Sequence, residues 1–294
     1  MQTIVTHNGN FHPDELFAIA TLQLYLRPNN TKIVRSRDKD TINNADWVVD
    51  VGGVYNPGKH RFDHHQPGAP VREDGTPYSS FGLVWREYGH IVAGSRDVSQ
   101  VIERVLVKPI DAGDNGVSLY DLKFSDLSPF ELYNVIDLFR PVWGSDEDVD
   151  KCFTNALLFV RGLLERMIKK EHSKLIQKKV AERYYLASED KTVIVCEENI
   201  SPDFFIKFPD VKVIVYKTNR DSEIFWKAQA VRKTEHGFDI RAKFPESWGG
   251  LSGGELERVS GISEAVFCHR GLFLFVARTR AAAIAAAHKA VVIE

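Results

Sequence analysis

Apolar and polar positions along this chain follow two periods, and they change from one to the other several times. Residues 2–6 form a short apolar-centred run that predicts a buried strand. Leu16, Phe17, Ile19, Leu22, Leu24 and Leu26 then recur at helical spacing, with Asp14 placed to cap the helix and Pro28-Asn29-Asn30 to end it. Residues 32–35 predict a second strand, 40–45 a short polar helix, and 47–51 a third strand stopped by Gly52-Gly53. Strands alternating with helices predict a parallel α/β sheet, in which ligands gather outside the carboxyl ends of the strands.

The middle of the chain turns helical. Phe81, Val84, Trp85 and Tyr88 give residues 79–92 a helical stripe. Residues 98–106 and 129–139 predict further helices, and 146–187 one long helix or two. From Lys191 the pattern shifts to strands over 192–196, 211–216, 225–231, 238–242, 265–269 and 272–277, with a closing helix over 279–290. The expected fold class is therefore α/β in two domains. Residues 1–188 form a parallel-sheet domain that includes the long helix as linker, and residues 189–294 form a smaller α/β domain. The Gly-rich stretch 249–254 reads as a flexible loop or as backbone able to approach phosphate; it follows neither a P-loop nor a dinucleotide pattern.

Composition narrows this only slightly. The 294 residues carry a net charge of -2, so no global basic field draws the chain to nucleic acid or anionic lipid. Locally, residues 161–183 hold eight basic side chains against three acidic ones, either a solvated helix face or a stripe facing nucleic acid. Three cysteines stand far apart with no C-x-x-C spacing, which suits a reducing compartment. No leader and no membrane-length apolar run is visible, so the expectation is a cytoplasmic protein without a membrane partner.

Candidate chemistry collects in four places. Thr6 to Glu15 carries His7, His12, Asp14 and Glu15. Asp50 ends the third strand, Asp63-His64-His65 follows a strand-like segment, and Asp111 lies in Pro109-Ile110-Asp111-Ala112-Gly113-Asp114-Asn115-Gly116. Singly each is ordinary: Asp14 a cap, Asp50 a strand-end residue, Asp111 the start of a turn. Together, at one sheet edge, they make a His and carboxylate set with no Cys, which suits divalent Mn, Fe, Zn or Mg. Carboxylates can bridge two ions, and a paired-ion site suits hydrolysis of phosphate esters or anhydrides.

These residues carry a family resemblance. Asp63-His64-His65 is the triplet that names the DHH phosphoesterase superfamily. The longer stretches H-N-G-N-F-H-P-D-E, D-V-G-G-V-Y-N-P-G-K-H-R-F-D-H-H-Q and I-D-A-G-D-N-G resemble one branch of it, the melanocyte-proliferating-gene family of metal-dependent hydrolases. The likeness runs nearly end to end, through W-G-G-L-S-G-G-E-L-E-R-V-S-G-I and F-C-H-R-G-L-F-L-F-V-A-R-T-R.

The resemblance implies a DHH catalytic domain, a linker helix and a substrate-binding domain. It also implies two divalent ions, usually Mn, with Mg, Fe and Zn as alternatives. Carried over by motif, His7, His12, Asp14, Asp50, His64 and Asp111 would be the ligands, with Asp50 bridging. Asp63 would orient a neighbour, His65 would contact phosphate, and the catalytic group would be Asp50, Asp63, His64 and His65. His269, Arg278 and Arg280 would bind substrate from the second domain. The implied activity is 3′-to-5′ exonucleolytic hydrolysis of RNA or short oligonucleotides. Open beside it are a small-substrate phosphatase or pyrophosphatase and a non-catalytic, metal-containing RNA-binding protein; a homo-oligomer is also open.

Overall fold

β1 (Gln2–Thr6) is the pivot of the first sheet in this computed structural model, which describes residues 1–292. The chain leaves β1 into α1 (Pro13–Leu26), returns as β2 (Thr31–Arg35), and passes through α2 (Lys39–Asn43) to β3 (Trp47–Val49). A hairpin of β4 (Tyr55–Asn56) and β5 (Arg61–Phe62) completes the sheet in the order β2-β1-β3-β5-β4. The first four run parallel, and β4 alone is antiparallel, to β5. The order reverses at β1, so the crevice between the ends of β1 and β3 is where a ligand site is expected in such a sheet.

α1 is apolar on nearly every side because it is buried on nearly every side; Leu16, Phe17, Ile19 and Leu22 are fully enclosed. It packs on α3 (Ser80–Val92), where the Phe17 and Phe81 rings stack with centroids 5.2 Å apart. α4 (Arg96–Ile102) runs through one π turn, Glu103–Val107, into α5 (Lys108–Asp114). A short α6 (Leu132–Asp137) occupies only the middle of the helix expected over 129–139. The expected helix over 146–187 is a single one, α7 (Val149–Ala187).

The chain divides into two compact units at His172/Ser173, inside α7 rather than at its end. The cause is in the side chains of the helix. Phe153, Ala156, Val160 and Leu164 are buried in the first unit. Ala181, with Val180, Tyr184 and Tyr185 against it, joins the core cluster of the second.

The second unit is a mixed sheet of β6 (Val193–Cys196), β7 (Val213–Arg220), β8 (Glu223–Ala230), β9 (Ala265–Cys268) and β10 (Leu274–Ala277), ordered β6-β7-β8-β10-β9. α8 (Gly253–Ser260) and α9 (Arg280–Val292) complete it, and the alanines of α9 let that helix lie close on the sheet core. The strand expected over 238–242 is absent. Phe238 is 96% exposed, and only a single bridge, Arg232 to Ile240, pairs that segment. No helix among the described residues is long and apolar enough to cross a membrane.

Candidate metal centre

Three parallel strands end in chemistry at the same edge. β1 ends at Thr6 and is followed by His7; β3 ends at Val49 and is followed by Asp50; β5 ends at Phe62 and is followed by Asp63-His64-His65. The Asp50 backbone N–H donates to Phe62 O at 3.0 Å, so the edge is held by the ladder itself. Asp50 sits at φ +56°, a left-handed conformation that costs a non-glycine residue about 1–3 kcal/mol. Gly52 and Gly53 follow at φ +95° and +68°, where a side chain would be strained, and turn the chain away sharply.

The loop between β1 and α1 is clamped from outside. Arg140 Nε and Nη2 donate to Phe11 O at 2.9 and 2.6 Å, and Arg35 bonds both Gly9 O and the Asp150 carboxylate. His12, not Asp14, opens α1: its N–H donates to both oxygens of Glu15 at 2.9 and 2.8 Å, and Pro13 starts the helix. Asp14 is thereby released from capping and turns inward, where Ser80 Oγ donates to its Oδ2 at 2.7 Å.

The groups converge closely. His7 Nε2 lies 3.2 Å from both Glu15 Oε1 and Asp50 Oδ2. His64 Nε2 lies 3.3 Å from Asp50 Oδ1 and 3.2 Å from Asp114 Oδ2. Asp50 thus presents one oxygen to each imidazole. Donor atoms of His7, His12 and Glu15, of Asp50, His64 and His65, of His12, Asp14 and Asp114, and of Asp14, Glu15 and Asp50 each fall within 4.8 Å of one another. His7, His12, Asp50, His64, His65 and Asp114 border a cleft of about 690 Å³ whose wall also includes Arg37, Asp63, Asn115 and Tyr133.

Asp111 departs from expectation. It is fully buried and already engaged by three donors: Arg72 Nη2 donates to Oδ2 and Ser79 Oγ to Oδ1, each at 2.5 Å, and the Gly82 N–H donates to Oδ1 at 3.0 Å. It stands outside every one of these groups, and Asp114 stands in its place. Glu15 also belongs to the cluster by position. Asp63 is a buried brace, accepting from the Gly53 N–H at 2.6 Å and holding His65 Nδ1 at 2.7 Å. His65 is otherwise open, its side chain 62% exposed.

His269, Arg278 and Arg280 lie in the second unit. His269 Nδ1 accepts from the Gly271 N–H at 2.9 Å. Arg278 pairs with Glu223 at 3.4 Å and Arg280 with Glu197 at 3.2 Å, all four well exposed.

The electrostatics demand positive charge. Burial alone would lower the His7 pKa, but hydrogen bonds and charge from Asp50 and Glu15 outweigh it and raise it to about 10. Burial likewise opposes, and Asp114 and Asp50 override, at His64, also raised to about 10. Burial pushes Asp14 well above the usual carboxylate range, and the charges of Asp50, Asp114 and Glu15 push it further.

The donor set fits divalent metal on two further observations. Asp14 Oδ1 is buried with no hydrogen-bond partner, a costly state for a polar atom unless something else meets it, and Asp50 Oδ1 and His64 Nε2 face one another at 3.3 Å as an ion pair without hydrogen-bond geometry. Imidazole and carboxylate without thiolate are ligands for Mn, Fe or Zn, with Mg served by the carboxylates; the three cysteines are elsewhere, and all are free thiols.

Comparison with known proteins covers nearly the whole chain. The profile MYG1_exonuc, described as "Uncharacterised protein family (UPF0160)", matches residues 3–291. The rat protein called MYG1 exonuclease is 31% identical, over 96% of this chain and 82% of its own length. The human protein of that name is also 31% identical, covering 97% and 84%. A Chlamydia pneumoniae MYG1 protein is 32% identical, covering 94% and 91%. Among solved structures, a pGpG-specific phosphodiesterase, PggH from Vibrio, aligns over 95% of this chain and 93% of that one, at 13% identity and a TM-score of 0.34, too loose a likeness to argue from.

Proposed function

The chain belongs to the MYG1_exonuc family, and from that premise we propose that it is a metal-dependent phosphodiester hydrolase, a 3′-to-5′ exonuclease on RNA or short oligonucleotides. The observation that carries the reading is Asp50. It is a strained, buried carboxylate with one oxygen toward His7 and the other toward His64, at the edge where three parallel strands end. Relatives named exonuclease point the same way.

In this reading His7, His12, Asp14, Asp50, His64 and Asp114 would hold the divalent ions, two in number if the family resemblance holds, with Mn the expected metal. When bound, such ions would supply Lewis acidity, lowering the pKa of a water and neutralising charge on the phosphoryl oxygens.

The protein's own groups do the rest. Asp63 fixes the ring of His65 through Nδ1 and leaves Nε2 to meet the phosphate or the departing oxygen. Ser80 holds Asp14 by one oxygen and so aims the other into the cluster. Arg35 and Arg140 keep the His7–His12 loop from sagging.

The test is hydrolysis of a short 5′-labelled RNA with Mn, run beside pyrophosphate and a 3′,5′-bisphosphonucleotide, with Asp50→Ala as control. A ladder shortening from the 3′ end, absent in the variant, is the expected result. Turnover of the small substrates alone would replace the exonuclease reading with a small-molecule phosphatase. Metal binding without turnover would replace it with an RNA-binding protein.

A further inference from the structure

Arg37 is the only lysine or arginine among the described residues that line the cleft. Its backbone is pinned on both sides. Just before it, the Ser36 N–H donates to Thr6 O at 2.8 Å, extending the β1–β2 ladder by one bond beyond Arg35. Just after it, Asp38 caps α2 by accepting from the Thr41 N–H and hydroxyl, both at 2.8 Å. The side chain itself is exposed and has no hydrogen bond or ion pair among the described residues.

Several other arginines of this unit contrast with it. Arg35, Arg61, Arg72 and Arg140 all spend their guanidinium groups on protein carbonyls or carboxylates. An unspent planar fork on a held backbone, beside a cleft walled by Asp50, Asp63 and Asp114, is suited to an incoming anion.

We propose that Arg37 is a substrate-binding residue that grips a phosphoryl group of the substrate in this cleft, an inference that rests on the phosphodiesterase reading above. The carboxylates would repel a polyanion; bound ions would neutralise them only where the ions sit, and a cation anchored at the rim by its backbone draws the chain in. The contact is a charge-assisted pair of N–H donors to phosphoryl oxygens, present before and during the reaction. Its loss therefore weakens binding rather than chemistry.

The experiment compares wild type with Arg37→Ala and Arg37→Lys on the short RNA, and measures Mn affinity and inorganic phosphate binding by calorimetry. For Arg37→Ala, KM should rise roughly 10–100-fold, the scale of a lost charge-assisted contact, while kcat and Mn affinity hold. Arg37→Lys should recover part of the loss, since it restores charge but not the fork. A KM within about twofold of wild type, or a loss that tracks lost Mn affinity, would overturn the proposal while leaving the enzyme reading intact. If the wild type hydrolyses nothing, the enzyme reading falls, and phosphate binding decides Arg37 alone. Roughly tenfold weaker binding to Arg37→Ala supports the contact; equal binding, or none to the wild type, overturns it.

Discussion

Asp111 and Asp114 stand one turn apart on α5, yet only Asp114 has an imidazole against it, at 3.2 Å, while Asp111 is consumed by Arg72, Ser79 and the Gly82 N–H. Their substitutions should separate. Asp111→Asn leaves Arg72 with a broken buried pair, so it should destabilise the metal-free protein by about 3–5 kcal/mol, or somewhat less because Glu103 still holds Arg72 at 2.6 Å. Asp114→Asn removes one of several crowded carboxylates, so it should leave the melting temperature near wild type and weaken Mn binding roughly tenfold or more. Thermal melts of the metal-free proteins and Mn titration check both; equal loss of Mn affinity in the two variants would make both aspartates ligands. The motif, read by resemblance, pointed to Asp111 as the ligand, whereas the structure sets Asp114 against the imidazoles. The choice is made by Arg72, thirty-nine positions from Asp111, whose guanidinium claims one of them. Glu15 was equally hard to place, because its two roles, bonding the His12 N–H and facing His7, depend on how the loop before α1 closes.

The strands and helices around the site were more legible, because each carries its own period. β1, β2 and β3 each end within about two residues of the pattern, and the chemistry follows at the predicted edge. Where the period misled, no partner was there to use it. Phe238, Ile240 and Ala242 alternate as a strand should, but nothing beyond one bridge pairs with them. The start of α3 shows what packing adds. Gly82 lies so near Asp111 that a Cβ would come 1.9 Å from Oδ2 and 2.7 Å from the Tyr78 ring. Gly82→Ala should therefore force the first turn of α3 away from α5, costing about 1–3 kcal/mol, and more if Asp111 loses its Gly82 bond. The same shift moves Ser80, which orients Asp14. A matching drop in Mn affinity, with Asp14 itself untouched, would show that α3 positions the ligand. A melting temperature equal to wild type would show that the turn can relax freely.

At the scale of the whole molecule, the cluster is a charge problem that folding creates and that bound metal would solve. Asp14, Glu15, Asp50 and Asp114 are brought together from three segments, and without metal the compensating charge is a proton on each of His7 and His64. Both imidazoles have folded pKa values of about 10 against an ordinary 6.5. A raised value means that the folded chain holds those protons more tightly than the unfolded chain. The stability they contribute is thus complete below about pH 6.5 and is lost as pH rises toward 10. The metal-free protein should accordingly melt at progressively lower temperature across that window. Metal competes with the same protons, so Mn should bind more tightly as pH rises through the window, and binding near pH 7 should release protons into the buffer. Calorimetry in two buffers of different ionisation enthalpy reads the release directly. With Mn bound, the fall in melting temperature from pH 6.5 to 10 should flatten, because ions then hold the carboxylates at every pH. A metal-free melting temperature that stays level or climbs over that range would mean that His7 and His64 are neutral in the folded chain and that the carboxylates find their balance elsewhere.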